Sequence, residues 1–299
     1  MFAYDFRVPE ERKAVVDMRS LPVRSVSVAV LDLEMTGLDP LVDRVCEVAL
    51  VRAEGSAVVE EFQSLVRPGV RMSAGAVRVH GLRDQDLVDA PAFEEVSERV
   101  RSVLEGALLI GHHVTHDLEF LQAEFDRAPQ PLAPPLYVDT LLIARRLFAF
   151  PKNNLASVCS GLGISVGSLH RALHDARATL AVWQRMVEIL DPDGTLTVGE
   201  LIDLVGALAP NSPRRLHQQR LLAEAFRAGR TVIIDYASHE AMPIGAARRE
   251  IGIWRMKPPY VQAWCFLRQG ERVFRFDRIR AVEEGSREYE APRQFVARV

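Results

Sequence analysis

Apolar positions along this chain keep two rhythms. Short, nearly continuous apolar runs at about 26–33, 44–53 and 57–66 predict three strands in quick succession, an antiparallel meander leading into Arg67-Pro68-Gly69. The spacing then lengthens to a helical period from Phe93 to Leu104. A short apolar strand, Ala107-Leu-Leu-Ile-Gly111, and a second helix near 115–125 follow. Pro129-Gln-Pro-Leu-Ala-Pro-Pro135 is a loop by composition. A further strand ends at Val138-Asp139, and helical stretches cover about 140–147, 154–162 and 171–190. Strands first, then strand and helix in alternation, predict an α/β layer around a mixed sheet.

Asp191-Pro-Asp-Gly194 closes that unit. Two helical segments, 198–209 and 216–228, are separated by Pro210-Asn-Ser-Pro213. After Gly229 the texture becomes short β runs at 231–236, 250–256, 261–267 and 272–276, which predict a small barrel or curled sheet. The expected division is an N-terminal extension over 1–25, an α/β domain over 26–192, a helical linker over 193–229 and a β domain over 230–299.

Composition narrows the class. No segment reaches the apolar length of a membrane span, so no membrane partner is expected. The start, Met1 to Glu10, carries acids and an Arg where a secretory signal needs an apolar core. Cys46, Cys159 and Cys265 are far apart in apolar surroundings, as reduced thiols in a cytoplasmic protein would be. The net charge of −3 conceals an asymmetry: residues 200–299 hold 17 basic against 12 acidic side chains, the remainder 20 against 28. An acidic front part can concentrate metal ions, and a basic back part can attract phosphates.

The first strand spoils its own apolar run with two acids. In Val30-Leu-Asp-Leu-Glu-Met-Thr-Gly-Leu38, Asp32 and Glu34 are two apart and so point to one side of a sheet. Carboxylates held that close raise each other's pKa unless a cation sits between them, and a divalent metal is the usual answer. A strand end that has reached solvent is the other. Asp117, in Gly111-His-His-Val-Thr-His-Asp-Leu-Glu-Phe-Leu121, and Asp175, in His170-Arg-Ala-Leu-His-Asp-Ala-Arg-Ala-Thr179, each fall near a helix start, where the macrodipole alone favours an acid. The histidines His170 and His174, with His112, His113 and His116, leave a zinc site open, although zinc would give the acids no role.

Taken together and in order, Asp32-x-Glu34, an Asp just after an Ile-Gly-His strand end, and His-x4-Asp resemble the DEDDh 3′→5′ exonucleases, the superfamily of proofreading subunits and oligonucleotide-trimming RNases. Val79-His-Gly-Leu82, Tyr137-Val-Asp-Thr140 and Asn154-Leu-Ala-Ser157 also fall where that family has similar stretches. The resemblance covers about 26–190 and implies an RNase H-like mixed five-stranded sheet with flanking helices. It further implies two divalent ions, Mg²⁺ or Mn²⁺, held by Asp32, Glu34, Asp117 and Asp175, with Asp32 bridging and His170 as general base. Hard oxygen ligands suit those ions, and two ions about 4 Å apart both activate a water and neutralise the phosphate. Thr36, Gly37 and Leu38 would line the pocket for the last nucleotide, with the tight turn at Gly37 needing positive φ. His113 stands where the family often has Asn, and would also meet substrate. Residues five apart on one helix point about 140° from each other, so His170 belongs in the loop before the helix that carries Asp175. Asp139 is a helix N-cap before Thr140.

The β runs after Gly229 are similar to a WYL domain, most clearly at Phe274-Arg-Phe-Asp-Arg-Ile279, with Pro259-Tyr260-Val261 where the name-giving triplet would stand. The resemblance implies a small SH3-like or Sm-like β fold that senses nucleic acid or another ligand. Alternation puts Phe274 and Phe276 on a core face, Arg272 and Arg278 on the same side, and Arg275 with Asp277 on the other. Tyr260, Arg275 and Arg278 are candidate substrate contacts, with a paired buried cation as the other reading of Arg278. Arg275 with Arg248 and Arg249 makes a set that meets nucleic acid or simply faces solvent. The expected activity is metal-dependent 3′→5′ hydrolysis of DNA, from single-stranded ends. Short RNA is the alternative substrate, and a ligand-sensing regulatory protein that only binds nucleic acid is an alternative of another class.

Overall fold

The computed structural model describes residues 17–128, 131–167, 170–207, 212–237, 246–257 and 260–290. Residues 1–16 of the expected extension, Pro129 and Gln130 of the Pro-rich loop, Ser168 and Leu169 before His170, the end of the 198–209 helix with Pro210 and Asn211, and Pro259 lie outside the described residues.

Two five-stranded sheets organise the chain. The first has the order β3-β2-β1-β4-β5, from β1 (Ser27–Met35), β2 (Val45–Glu54), β3 (Ala57–Leu65), β4 (Leu108–Gly111) and β5 (Tyr137–Asp139). The meander β1-β2-β3 is antiparallel and β4 and β5 add parallel to it, which makes the sheet mixed. Helices α2 (Phe93–Leu104) and α3 (Val114–Arg127) lie on one face. On the other lie α4 (Thr140–Leu147), α5 (Leu155–Gly161) and α6 (Ala172–Leu190).

Alternation along β1 serves both faces. Ala29, Leu31 and Leu33 join the core under α2 and α3, while Val28 and Val30 join the core under α6. The second row continues into Asp32 and Glu34. On β2 the matching row is Ala53, Val51 and Ala49, and it continues into Glu47, which is paired directly with Glu34. One end of an otherwise apolar face is therefore built of acids.

The second sheet is antiparallel throughout, in the order β10-β6-β7-β8-β9: β6 (Arg230–Ala237), β7 (Ala246–Lys257), β8 (Tyr260–Cys265), β9 (Gly270–Arg275) and β10 (Ile279–Glu288). The helices between the sheets divide between the two cores. Val198, Leu201 and Val205 of α7 (Val198–Ala207) join the first, and Leu222 of α8 (Pro213–Ala228) joins the second. Ser212 caps α8 by accepting from the Arg215 N–H, and Pro213 opens its first turn.

Two elements escape the apolar pattern. Helix α1 (Ala74–His80) is only seven residues long, too short to show a period, although Ser73 caps its start and Gly81 closes it at a φ of 79°. Strand β10 carries Glu283, Glu284, Gly285 and Ser286, which mask a strand on composition, and its register slips twice against β6. The expected alternation through residue 278 also stops early. The strand ends at Arg275 and Phe276–Arg278 turn in a 3₁₀ corner, so Phe274 is buried, Phe276 is half-buried and Arg272 is exposed.

Candidate active site

The acidic end of the first sheet opens into a cleft of about 710 Å³ lined by Asp32, Glu34, Asp117, Asp175, His170 and His113, with Gly37 and Leu38 at its rim. Each acid arrives by a different local device. Asp32 and Glu34 come from alternation in β1. Asp117 comes from the first turns of α3, which lies close to β1 because Gly111 has no side chain: a Cβ there would stand 2.7 Å from Val114 Cβ. That approach lets Asp117 Oδ1 accept the Leu33 N–H at 3.1 Å, between the two acids of the strand. Asp175 lies in the first turn of α6 and accepts the His170 N–H at 3.1 Å.

His170 itself precedes α6 in a left-handed conformation, φ 72°, as the helix geometry requires. His113 is also left-handed, φ 78°, where β4 passes into α3. Asp139 holds it there: its Oδ1 caps α4 by accepting from the Leu141 N–H at 2.8 Å, and also accepts the His113 N–H at 3.0 Å. Asp139 thus supports the cleft as well as capping a helix. The rings of His113 and His116 stack with centroids 6.0 Å apart.

Electrostatics set these acids apart. One carboxylate oxygen from each of Asp32, Glu34 and Asp175 lies within 4.8 Å of the others. Burial first, and then the neighbouring Asp117, Asp175 and Glu34, push Asp32 well above the carboxylate range. Burial, followed by Asp175 and Glu47, raises Glu34 to about 8. Burial raises Asp117 to about 7 and also lifts Asp175. Oxygen donors so close, half-buried or buried and mutually repelling, suit a hard divalent cation. The imidazoles do not gather in this way: among the described residues the only potential metal-holding group is made of carboxylates, which leaves the zinc alternative without support.

A fifth acid in the same row is resolved differently. Glu47 is fully buried and its carboxylate takes two bonds from the Arg171 guanidinium, at 2.8 and 3.1 Å, one from the Ala172 N–H and one from Gln63. Although burial works to raise its pKa, these partners together hold it below the usual value. Sequence reasoning missed Glu47, although a lone acid inside Val45-Cys-Glu-Val-Ala-Leu50 is the signal that exposed Asp32. It ties β2 to the residue following His170, and so fixes the loop on which the imidazole stands.

Two expectations are corrected at the rim. Thr36 is buried behind the cleft, not in its lining: its hydroxyl donates to Asp43 at 3.1 Å and accepts the Arg44 N–H at 3.0 Å, pinning the β1–β2 turn. Gly37 does not have positive φ; a Cβ would fall 2.3 Å from the Asp43 carboxylate, so space is what requires glycine. The far wall is α1, whose His80 packs its ring against the end of β1, within 3.3 Å of the Met35 carbonyl. In the second sheet, Arg278 is half-buried and donates to the Phe150 carbonyl at 3.1 Å, a contact between the two sheets' units, where a pocket position was open. Arg275 holds Asp277 through two bonds, Arg248 pairs with Glu283 and Arg249 is buried, so these three do not form one exposed row. Tyr260 is 47% exposed.

The Exonuclease family profile matches residues 29–183, the segment that carries all four clustered acids. The chain belongs to the exonuclease family. A WYL domain profile matches residues 219–284. Among relatives, the DNA polymerase III PolC-type of Thermotoga maritima is 32% identical over 172 residues, covering 58% of this chain and 13% of that protein. That of Bacillus cereus is 31% identical over 178 residues, covering 59% and 12%. The chain thus spans about an eighth of the length of these relatives. The zinc-bound form of the E. coli exonuclease I complex with single-stranded DNA has the same fold at a TM-score of 0.53 and 16% identity, covering 80% of this chain and 54% of that one. Exonuclease I with a dA16 oligonucleotide gives 0.52 and 17%, covering 81% and 55%.

Proposed function

We propose that this exonuclease hydrolyses DNA from 3′ ends with two divalent ions, Mg²⁺ or Mn²⁺, and that the β unit after residue 230 holds the strand. The observation that carries the reading is the convergence of Asp32, Glu34, Asp117 and Asp175 in one cleft with His170 at its mouth. DNA as substrate is supported by the similarity to PolC-type polymerases and by the fold shared with exonuclease I.

Asp32, Glu34 and Asp175 would hold one ion, and Asp32 with Asp117 the other. When bound, the ions supply a water acidified toward neutral pH and positive charge against the phosphate. His170 is exposed and anchored through its own backbone to Asp175, which leaves the imidazole available to take the proton of that water. Leu38, 83% exposed at the rim, offers an apolar surface to the terminal base. The division into residues 26–192 for catalysis and 230–299 for strand capture, with 193–229 between them, belongs to the same reading.

Matched 3′-labelled and 5′-labelled DNA and RNA oligonucleotides, incubated with Mg²⁺, Mn²⁺ or EDTA, test it. A ladder shortening from the 3′ end of DNA, abolished by EDTA, is expected. A ladder from the 5′ end, or full activity in EDTA, would contradict it.

A further inference from the structure

Two arginines at the corner of the second sheet reach into the first unit. Helix α8 sets that corner: Arg215, buried in its first turn, donates to the carbonyls of Phe276 and Asp277 at 3.1 and 2.9 Å, and to that of Ile279. The corner so held presents Arg278 and Arg280. Arg278 donates to the Phe150 carbonyl at 3.1 Å, and Arg280 donates to the carbonyl of Leu147, the last residue of α4. A helix leaves its final carbonyls without partners of their own, so a guanidinium there is both a donor and the favoured charge.

Between Leu147 and α5 the chain runs as a strap over residues 148–153, with neither helix nor strand. Its Phe148 and Phe150 are buried in the core of the first sheet, their rings nearly parallel and 5.4 Å apart. The far end of the strap returns to the cleft. There the Asn153 carbonyl meets His112 Nε2 at 2.8 Å, while His112 Nδ1 lies 2.9 Å from the Thr140 hydroxyl at the start of α4. A carbonyl can only accept, so Nε2 carries a proton. His113 follows, and its left-handed turn leads β4 into α3 and lines the cleft. Helix α4 and the strap therefore form a loop that begins and ends at the His112 side chain, with carbonyls in its middle held from the second unit.

We propose that Arg278 and Arg280 are positioning residues of the exonuclease: by fixing the end of α4 and the strap they fix His112, and with it the turn at His113 where the terminal nucleotide rests. This rests on the reading of the cleft as the exonuclease site. The Phe rings set how deep the strap lies, and the guanidinium bonds set how its carbonyls are turned. Bonds with a charged donor are the stronger kind. The second sheet thus acts on hydrolysis from a distance, through Arg278 and Arg280.

The full chain tests this, first without activity. In EDTA, exchange of the His112 Nε2–H proton with solvent is followed by ¹⁵N NMR of the imidazoles. It should be slow in the wild type. Arg278→Met and Arg280→Met, which keep an apolar stem and remove the donors, should speed it about 2- to 30-fold, the range for a change passed through packed neighbours. Arg278→Lys keeps a charged donor and should recover part of the protection. The second arm is cleavage of a trinucleotide in Mn²⁺, which gives a strand-holding surface little to grip. Its kcat/KM should fall by about the same 2- to 30-fold in either Met variant, with Mn²⁺ affinity unchanged. In a His112→Asn background the Arg278→Met loss should vanish, because both changes act through one contact. Thermal melts accompany every variant, and Arg280→Met carries the test if Arg278→Met does not fold. Wild-type imidazole exchange in the Met variants, or losses that add to that of His112→Asn, overturns the positioning role while leaving the exonuclease reading intact. Failure of the wild type to cleave the trinucleotide counts against that reading instead, and the exchange arm still decides the strap.

Discussion

Two groups of acids stand side by side in this molecule, and they are treated in opposite ways. Glu47 and Glu124 are buried against arginines: Arg171 forks onto Glu47, and Arg44 onto Glu124 with both bonds at 2.7 Å. Asp32, Glu34, Asp117 and Asp175 share a cleft, where burial raises all four and the neighbouring acids raise Asp32 and Glu34 further. A buried acid that serves the fold is given its counter-charge by the chain, because an unpaired one costs several kcal/mol. On the proposed reading, the acids left to repel are those whose counter-charge arrives with the reaction. Burial alone separates nothing here, since Glu47 and Glu124 are less accessible than Asp32.

The largest test of that contrast is removal of a clustered acid. Asp32→Ala or Asp175→Ala should abolish hydrolysis while the metal-free fold stays as stable or gains slightly, because a repulsion is relieved. Activity assays beside thermal melts in EDTA check both halves, and an unfolded variant would place these acids with the structural group. His170→Ala should lower turnover by roughly 10²–10⁴-fold, the usual share of a general base, and His174→Ala far less; single-turnover rates on one oligonucleotide compare them.

On the other side of the contrast, Arg44→Ala should destabilise the protein by about 1.5–3 kcal/mol, because Glu124 loses its two-bond partner and keeps only Arg127 at 3.5 Å and the Val45 N–H. Urea unfolding measures it. Glu47→Gln should cost a smaller part of the activity, roughly 10-fold, by loosening the loop under His170. In the His170→Ala background the same change should cost almost nothing further, a non-additivity that a general loss of stability would not produce.

The smallest effect is in the pH dependence. Glu34 and Asp117 have folded pKa values raised to about 8 and 7 from 4.5 and 3.8. A raised carboxyl stabilises below its unfolded value, and the contribution is lost as pH rises through the folded one. The metal-free protein should therefore lose stability between about pH 4 and 8, and divalent ions should restore more of it at pH 8 than at pH 6. Melts in EDTA and in Mn²⁺ at several pH values show the sign directly.

Much of this was legible in the residues. The i, i+2 acids of β1, the placing of His170 outside α6 and the N-cap at Asp139 follow from strand and helix geometry that the sequence shows. What escaped depends on partners that only folding supplies. Glu47 is intelligible once Arg171, 124 residues away, is beside it. Thr36 looks like a pocket residue until Asp43 and Arg44 are placed against its hydroxyl, and Gly37, which does stand at the rim, is required by the nearby Asp43 carboxylate and not by a positive φ. Arg278 turns away from the second sheet because a 3₁₀ corner replaces the last turn of strand.

The central claim is that the unpaired acids form a metal site and the paired ones do not. Calorimetric titration of the metal-free protein with Mn²⁺ addresses it most directly. About two ions per chain are expected for the wild type and for Glu47→Gln, and a loss of tight binding for Asp32→Asn. Undiminished binding in Asp32→Asn, or its loss in Glu47→Gln, would contradict the account.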